Sequence, residues 1–100
     1  MLFAIYCIDK PDTAAIREKH LKVHRDYLDT HVDKIFFSGP LQTDDASASL
    51  GSLFIVNVKD KAEAQAYIEN ETFYQNGVFE KVTITRMRKG RFRAELVDAV

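Results

Sequence analysis

The sequence predicts one α+β domain whose elements follow in the order β-α-β-β-α-β, the ferredoxin-like arrangement. Three observations lead to this prediction. Four short runs rich in apolar, β-branched and aromatic residues are separated by Gly, Pro and Asp, which is typical of strands. Two other segments have apolar residues at helical spacing after a polar N-cap. The length of 100 residues, of which 46% are hydrophobic, fits a single domain with a thin core.

The four predicted strands cover residues 2–8, 33–38, 52–58 and 78–87. The second strand is expected to stop at Gly39-Pro40, because this pair commonly breaks regular structure. The polar stretch 42–49 is predicted to be a loop, and residues 70–77 are predicted to be irregular.

The first helix is predicted to run from about residue 13 to residue 31, with Asp12 or Thr13 as its N-cap. The second helix is expected to begin after Asp60, with Glu63 as the reciprocal partner of a capping box. Its residues Ala64, Tyr67 and Ile68 are expected to face the sheet.

This order places both helices on one face of a four-stranded antiparallel sheet. The other face needs a cover, because Phe3, Phe36, Phe54 and their neighbours leave apolar side chains on both sides of the strands. A second copy of the chain would bury that face. We therefore expect a homodimer, or a higher oligomer built from dimers.

Charge and cysteine content exclude several classes of function. A net charge of −1 gives no overall field to hold nucleic acid or an anionic membrane. Cys7 is the only cysteine, so no intramolecular disulfide and no cysteine-based zinc cage can form. It lies in an apolar run, which is typical of an inert core residue.

The N-terminus has no basic leader and no run long enough to span a bilayer, so we expect a cytoplasmic location.

RNA-recognition domains share this strand order, but the sequence argues against RNA binding. Their third strand combines a basic residue, glycine and stacking aromatics. The third strand here, SLFIVNV, has one aromatic residue and no basic residue.

Five basic residues lie near the C-terminus: Arg86, Arg88, Lys89, Arg91 and Arg93. They are expected to form the solvated end of the last strand, although they could also attract an anionic substrate or contact another subunit.

The first helix carries all three histidines of the chain. On a helical wheel, His20, His24 and His31 lie between two apolar flanks and are expected to point toward the sheet. One flank contains Ile16, Val23 and Tyr27, and the other contains Leu21 and Leu28. Each histidine could be structural, bonded to a backbone carbonyl, or could line a cavity. His31 is expected to be structural because it lies at the helix end.

His20 and His24 are four residues apart, a spacing that can present two nitrogens to one metal ion. No HExxH motif surrounds them, and a third ligand would have to come from Asp33, Glu71 or His31. We expect no metal site.

Three segments of the sequence resemble the YciI-like family. The first, HRDYLDTHVDKIFFSGPL, combines a helix histidine, a Tyr-Leu pair, an Asp-Lys pair and a Gly-Pro pair. The second is GSLFIVNV, a third strand that opens with Gly-Ser. The third is AEAQAYIENETFYQNGVFEKVTI, which covers the second helix and the start of the last strand. The resemblance indicates a family domain over residues 1–88, followed by a basic and then apolar tail over residues 89–100.

The resemblance implies a dimeric α+β barrel with a pocket between the sheet and the helices. One family member with an assigned reaction is a dehydrochlorinase of a chlorinated hydroxyhydroquinone. The family site centres on the helix histidine, which is His24 here, with an aspartate close by. Glu71 stands where that aspartate is expected. Leu21 replaces the arginine that usually lies three residues before the histidine, and Arg17 is the candidate to compensate.

The expected function is acid–base chemistry on a small molecule, of the elimination, isomerisation or lactone type. His24 would be the general acid/base and Glu71 would orient it. The expected substrate contacts are Ser38, Tyr27, Gly39, Pro40, Arg17 and His20. No glycine-rich phosphate loop or other cofactor motif is present, and we expect no cofactor. The alternative is a non-catalytic dimeric module that binds a small ligand.

Overall fold

The computed structural model describes residues 1–100 and has the predicted α+β architecture. The elements are β1 Leu2–Asp9, α1 Ala14–Thr30, β2 Ile35–Gln42, β3 Ser49–Asn57, α2 Lys61–Glu69, α3 Thr72–Gln75 and β4 Phe79–Met87. Short 3-10 turns lie at Val32–Lys34 and Ala94–Leu96. The strands form one antiparallel sheet in the order β2-β3-β1-β4, so the predicted fold class is confirmed.

Alternation along the two central strands decides which face of the sheet is buried. In β1, Phe3, Ile5 and Cys7 are buried, and in β3 they are matched on the same face by Phe54 and Val56. The helices cover this face. From α2 the buried residues are Ala64, Tyr67 and Ile68, as the sequence predicted.

The prediction that Gly39-Pro40 ends the second strand is wrong. Strand β2 continues through both residues to Gln42. It is an edge strand, with β3 as its one neighbour, and an edge strand tolerates a proline that cannot donate to the ladder. Residues 38–40 are therefore held in extended backbone beside β3.

The helix N-termini differ in detail from their predictions. Thr13 is the N-cap of α1, but its hydroxyl donates to the Lys10 carbonyl at 2.9 Å and caps no helix amide. Asp60 caps α2 as expected, accepting from the Glu63 amide at 2.8 Å. The Glu63 side chain turns instead toward Lys34, with 3.8 Å between the charged atoms.

The segment predicted to be irregular contains the four-residue helix α3. Its N-cap is Glu71, whose Oε2 accepts from the amides of Phe73 and Tyr74 at 2.9 and 3.2 Å. This one-turn helix follows α2 almost directly and fixes the position of Glu71 against α1.

Helix α1 has no fully buried residue. Val23, expected on an apolar flank toward the sheet, is 57% exposed, so that expectation is wrong. Ile16, Leu21 and Leu28 are partly buried against the core. The side of α1 that faces the protein carries Arg17, His24 and Tyr27, which are hydrogen-bonded to other elements. Val23 lies on a different side of the helix and is exposed to solvent.

The second face of the sheet is left open by this chain. Tyr6, Ile8 and Phe37 on that face are 47%, 40% and 49% exposed. The C-terminal tail reaches one end of the sheet, where the ring centroids of Phe92 and Phe36 lie 5.2 Å apart. No helix has both the length and the hydropathy that crossing a membrane would require.

Candidate functional site

A cavity of about 480 Å³ lies between α1 and the β2–β3 half of the sheet. Its helix wall consists of Arg17, Glu18, Leu21, His24, Arg25 and Leu28. Its strand wall consists of Ser38, Gly39, Pro40, Ser49, Ser52 and Phe54, and Phe73 of α3 completes it. The cavity therefore combines an apolar floor with hydroxyl, imidazole and guanidinium groups.

His24 and Glu71 form a hydrogen-bonded pair at this cavity. Nδ1 of His24 bonds Oε1 of Glu71, whose side chain is completely buried. The other carboxylate oxygen accepts the two amide bonds at the start of α3, so the carboxylate cannot turn without losing them. Since Nδ1 is engaged, Nε2 is the ring nitrogen of His24 that remains available to a ligand.

Phe73 contacts both functional side chains of the helix wall. Its ring stacks on the His24 imidazole with centroids 3.9 Å apart and planes 11° apart. The guanidinium carbon of Arg17 lies 4.8 Å from the centroid of the same ring. Arg17 and His24 are two helical turns apart, so one aromatic ring orients both groups along the cavity wall.

Arg17 is held by a bidentate ion pair. Its Nε and Nη2 donate to the two carboxylate oxygens of Asp9 at 2.7 and 2.9 Å. Nη2 also donates to the Ser52 hydroxyl at 3.1 Å. The two charged side chains are only 12% and 7% exposed, so the guanidinium has a fixed position.

The opposite wall comes from β2, at the last residue of the predicted strand and at the Gly39-Pro40 pair that was expected to end it. Ser38, Gly39 and Pro40 all line the cavity. Ser38 is paired in register with Phe54, and Pro40 with Ser52, which fixes how far each lies along the strand wall. Continuation of β2 past its predicted end therefore makes one side of the site.

Two predicted substrate contacts lie elsewhere. The Tyr27 hydroxyl donates to the Tyr67 carbonyl at 2.7 Å, and Tyr27 does not line the cavity. Burial, and secondarily the charge of Glu71, raise the pKa of Tyr27 to about 12. His20 is half-buried and also lies outside the cavity wall.

The remaining titratable groups of interest are structural. His31 donates from Nδ1 to the Tyr27 carbonyl at 2.9 Å, a backbone bond of the kind expected for it. Cys7 is completely buried, as expected for a core residue, and burial together with the nearby charges of Glu71 and Asp9 raises its pKa to about 12. No three side chains of the His, Cys, Asp and Glu types are grouped so that they could hold a metal ion.

Sequence interpretation missed several groups of the site. Asp9 follows the predicted first strand and was assigned no role, and Phe73 lies in the segment that was predicted to be irregular. Ser52 and Phe54 are two residues apart in β3 and therefore share a face, which was the available signal. Nothing local in the sequence indicated that Phe73 would contact α1.

The chain matches the family model of the YCII-related domain over residues 1–88. It is similar in structure to the 5-chloro-2-hydroxyhydroquinone dehydrochlorinase of Burkholderia phenoliruptrix AC1100, which was solved in complex with 2,5-dihydroxybenzoquinone. That similarity has a TM-score of 0.82 and 29% identity over 90% of this chain and 96% of the enzyme. A protein of Arabidopsis thaliana matches with a TM-score of 0.47 and 11% identity over 92% of this chain and 97% of that protein. Among curated proteins, none matches the chain. The family model covers nearly the whole folded part of the chain, which therefore belongs to the YCII-related domain family.

Proposed function

We propose that this protein is a small-molecule enzyme that uses His24 as a general acid/base and Glu71 to orient it. The observation that carries the proposal is the state of the His24 ring. One nitrogen is fixed by a fully buried carboxylate, and the ring lines a cavity large enough for a small cyclic compound.

The proposed step is removal of a proton from substrate carbon or oxygen by Nε2 of His24. The adjacent Glu71 carboxylate stabilises the imidazolium that forms, because the opposite charges share a hydrogen bond away from water. The proton then returns to a different atom of the substrate in an isomerisation, or a leaving group departs with its bonding electrons in an elimination. Both outcomes need only this chain's own side chains.

The substrate class is proposed from the cavity and from the similar enzyme. Phe54 and Phe73 offer aromatic surface to a ring, while Ser38 and the backbone of Gly39 and Pro40 offer polar contacts opposite His24. The dehydrochlorinase of similar fold acts on a chlorinated, hydroxylated ring. We therefore propose an oxygenated cyclic substrate, either aromatic or a lactone.

The test is turnover by wild-type protein and by two single variants. Candidate substrates are 5-chloro-2-hydroxyhydroquinone, followed by chloride release, and small unsaturated lactones, followed by absorbance. His24→Gln should lower kcat about 10²–10⁴-fold, the usual contribution of a general acid/base. His20→Gln is the matched control, because His20 lies on the same helix but outside the cavity, and it should retain wild-type turnover. Equal rates in wild-type protein and His24→Gln would contradict the proposal.

The second candidate is a non-catalytic ligand-binding module. The observation that favours it is Leu21, which lines the cavity where an anion-binding arginine was expected. A protein of this kind would bind cyclic ligands without converting any of them, and His24→Gln would alter neither the bound ligand nor any rate.

A further inference from the structure

We infer that the Arg17 end of the cavity selects an uncharged carbonyl or hydroxyl oxygen of the substrate and discriminates against a carboxylate. The inference rests on the proposed function and deepens it, since it names the substrate group that would lie beside the carbon from which His24 removes a proton. It rests on how the guanidinium of Arg17 is already occupied.

Most of the hydrogen-bonding capacity of Arg17 is used inside the protein. A guanidinium has five N–H groups. Nε and Nη2 together make three bonds, two to Asp9 and one to Ser52. One face of the group lies over Phe73. Because Arg17 lines the cavity, Nη1 is the donor left for a ligand, and it can offer a single-sided contact but no bidentate fork.

The positive charge of Arg17 is also balanced. The Asp9 side chain is only 7% exposed, so water screens its charge poorly. Any anion that reaches Nη1 also meets this carboxylate close behind it. The second buried carboxylate, Glu71, lies behind His24 at the same wall. The remaining charges at the cavity, Glu18 and Arg25, are exposed and opposite in sign. A carboxylate ligand would lose its hydration and gain little attraction in return.

A neutral carbonyl oxygen loses less hydration and still accepts a hydrogen bond from a charged donor. In the proposed reaction, His24 takes a proton from the carbon next to that carbonyl. The C–H electron pair becomes a carbon–carbon double bond, the carbonyl π pair moves onto oxygen, and the proton goes to Nε2. The charge that grows on oxygen strengthens its bond to Nη1, so Arg17 favours the transition state over the bound substrate.

Phe73 contacts both of the groups that the proposed substrate would meet. Both the guanidinium carbon and the imidazole lie within 5 Å of the Phe73 centroid, at 4.8 and 3.9 Å. Leu21, between them on α1, adds apolar surface and no charge. The proposed substrate would place its carbonyl oxygen against Nη1 and the neighbouring carbon against Nε2.

The test uses two ligands of equal shape and different charge, 2,5-dihydroxybenzamide and 2,5-dihydroxybenzoate. Their dissociation constants are measured by NMR titration of wild-type protein at neutral pH and moderate salt. Wild-type protein should bind the amide about fivefold or more tightly than the carboxylate. Tighter binding of the carboxylate, or no binding of either ligand at millimolar concentration, would overturn the inference.

Asp9→Asn tests the cause, because it keeps the shape of the side chain and removes the balancing charge. The affinity for the carboxylate should rise about tenfold relative to the amide. Asp26→Asn is the matched control. Asp26 is an exposed residue of α1 that pairs with Lys22 and does not line the cavity, so the affinity ratio should stay at the wild-type value. An equal ratio in the two variants would contradict the role of Asp9.

Arg17→Lys keeps the test decisive if Asp9→Asn does not fold, since it retains the charge and removes the Nη1 donor. The affinity for the amide should fall about fivefold or more in this variant, because the donor to its carbonyl oxygen is lost while the charge of Asp9 remains balanced. An unchanged affinity for the amide would contradict the role of Nη1. These measurements report ligand binding and need no turnover. Failure of the enzyme proposal would therefore appear as missing turnover with the ligand preference intact.

Discussion

At the scale of single residues, Glu71 is the group on which the site depends most. Its carboxylate is completely buried and accepts from His24 and from two amides of α3. A buried acceptor set of this kind holds its donors in one arrangement, because each broken bond would leave a polar group without a partner. Glu71 thus joins the first turn of α3 to the middle of α1.

Glu71→Gln should therefore destabilise the protein. The amide NH₂ would face either the two α3 amides or the Nδ1–H of His24, and one donor would then point at another donor. We expect a loss of about 1–3 kcal/mol in the free energy of unfolding, measured by urea denaturation. Glu80→Gln, at an exposed position of β4, should change stability by less than about 0.5 kcal/mol. Equal effects of the two substitutions would show that the buried bonds contribute nothing.

Cys7 and Tyr27 make stability depend on alkaline pH. Burial raises the pKa of Cys7 from 9.0 to about 12 and that of Tyr27 from 10.0 to about 12. Between pH 9 and 12 the unfolded chain loses these protons while the folded chain keeps them, so the free energy of unfolding falls as pH rises. Urea midpoints measured across this range should decline steadily, and Cys7→Ala should show a shallower decline. A wild-type midpoint that is constant to pH 11 would contradict the assignment.

Part of the site could be predicted from single residues. His24 was found from its position on α1 and from the resemblance to the family, and Glu71 from the resemblance alone. The contact of Phe73 with Arg17 and His24 depends on how α3 packs on α1, which no local pattern encodes. Tyr27 was expected to donate to a substrate, but a backbone carbonyl of α2 takes its hydroxyl instead.

At the scale of elements, the order of strands and long helices was predictable because hydrophobic periodicity differs between the two. The end of β2 was not, because the effect of a Gly-Pro pair depends on whether the strand lies at the edge of the sheet, and that is a tertiary property. Helix α3 was missed for a similar reason. A single turn makes too few bonds of its own, and its position depends on Glu71 and Phe73.

Gly51 in β3 is required by the close approach of β1. A β-carbon at this position would collide with the backbone carbonyl oxygen of Cys7, which cannot move without disturbing the ladder. Gly51→Ala should cost about 2 kcal/mol or more in the free energy of unfolding, measured by thermal or urea denaturation.

Gly39→Ala is the control, because a β-carbon there would meet nothing within 4 Å. Its free energy of unfolding should stay within about 1 kcal/mol of the wild-type value. Tolerance of alanine at both positions would mean that the two central strands can separate more readily than their register implies.

At the scale of the whole molecule, one face of the sheet is left uncovered by the chain, with Tyr6, Ile8 and Phe37 exposed on it. We predict that a second copy covers it, so that the protein sediments at micromolar concentration with twice the chain mass of 11.4 kDa. Tyr6→Glu should shift the protein toward the monomer, since it would place a charge among the apolar side chains of that face. Val23→Glu, at an exposed apolar position on α1, should leave the mass unchanged. A wild-type monomer under these conditions would contradict the prediction.

Helix α1 has one further consequence for how ligands act on this protein. Because none of its residues is fully buried, polar links through Arg17, His24 and Tyr27 supplement its partial apolar contacts with the core. A compound that fills the cavity touches α1 on one side and β2 and β3 on the other, and it would tie together two parts of the molecule that share little packing of their own. Occupancy of the cavity would then resist thermal unfolding, so small molecules could be recognised by a rise in melting temperature before any reaction is known.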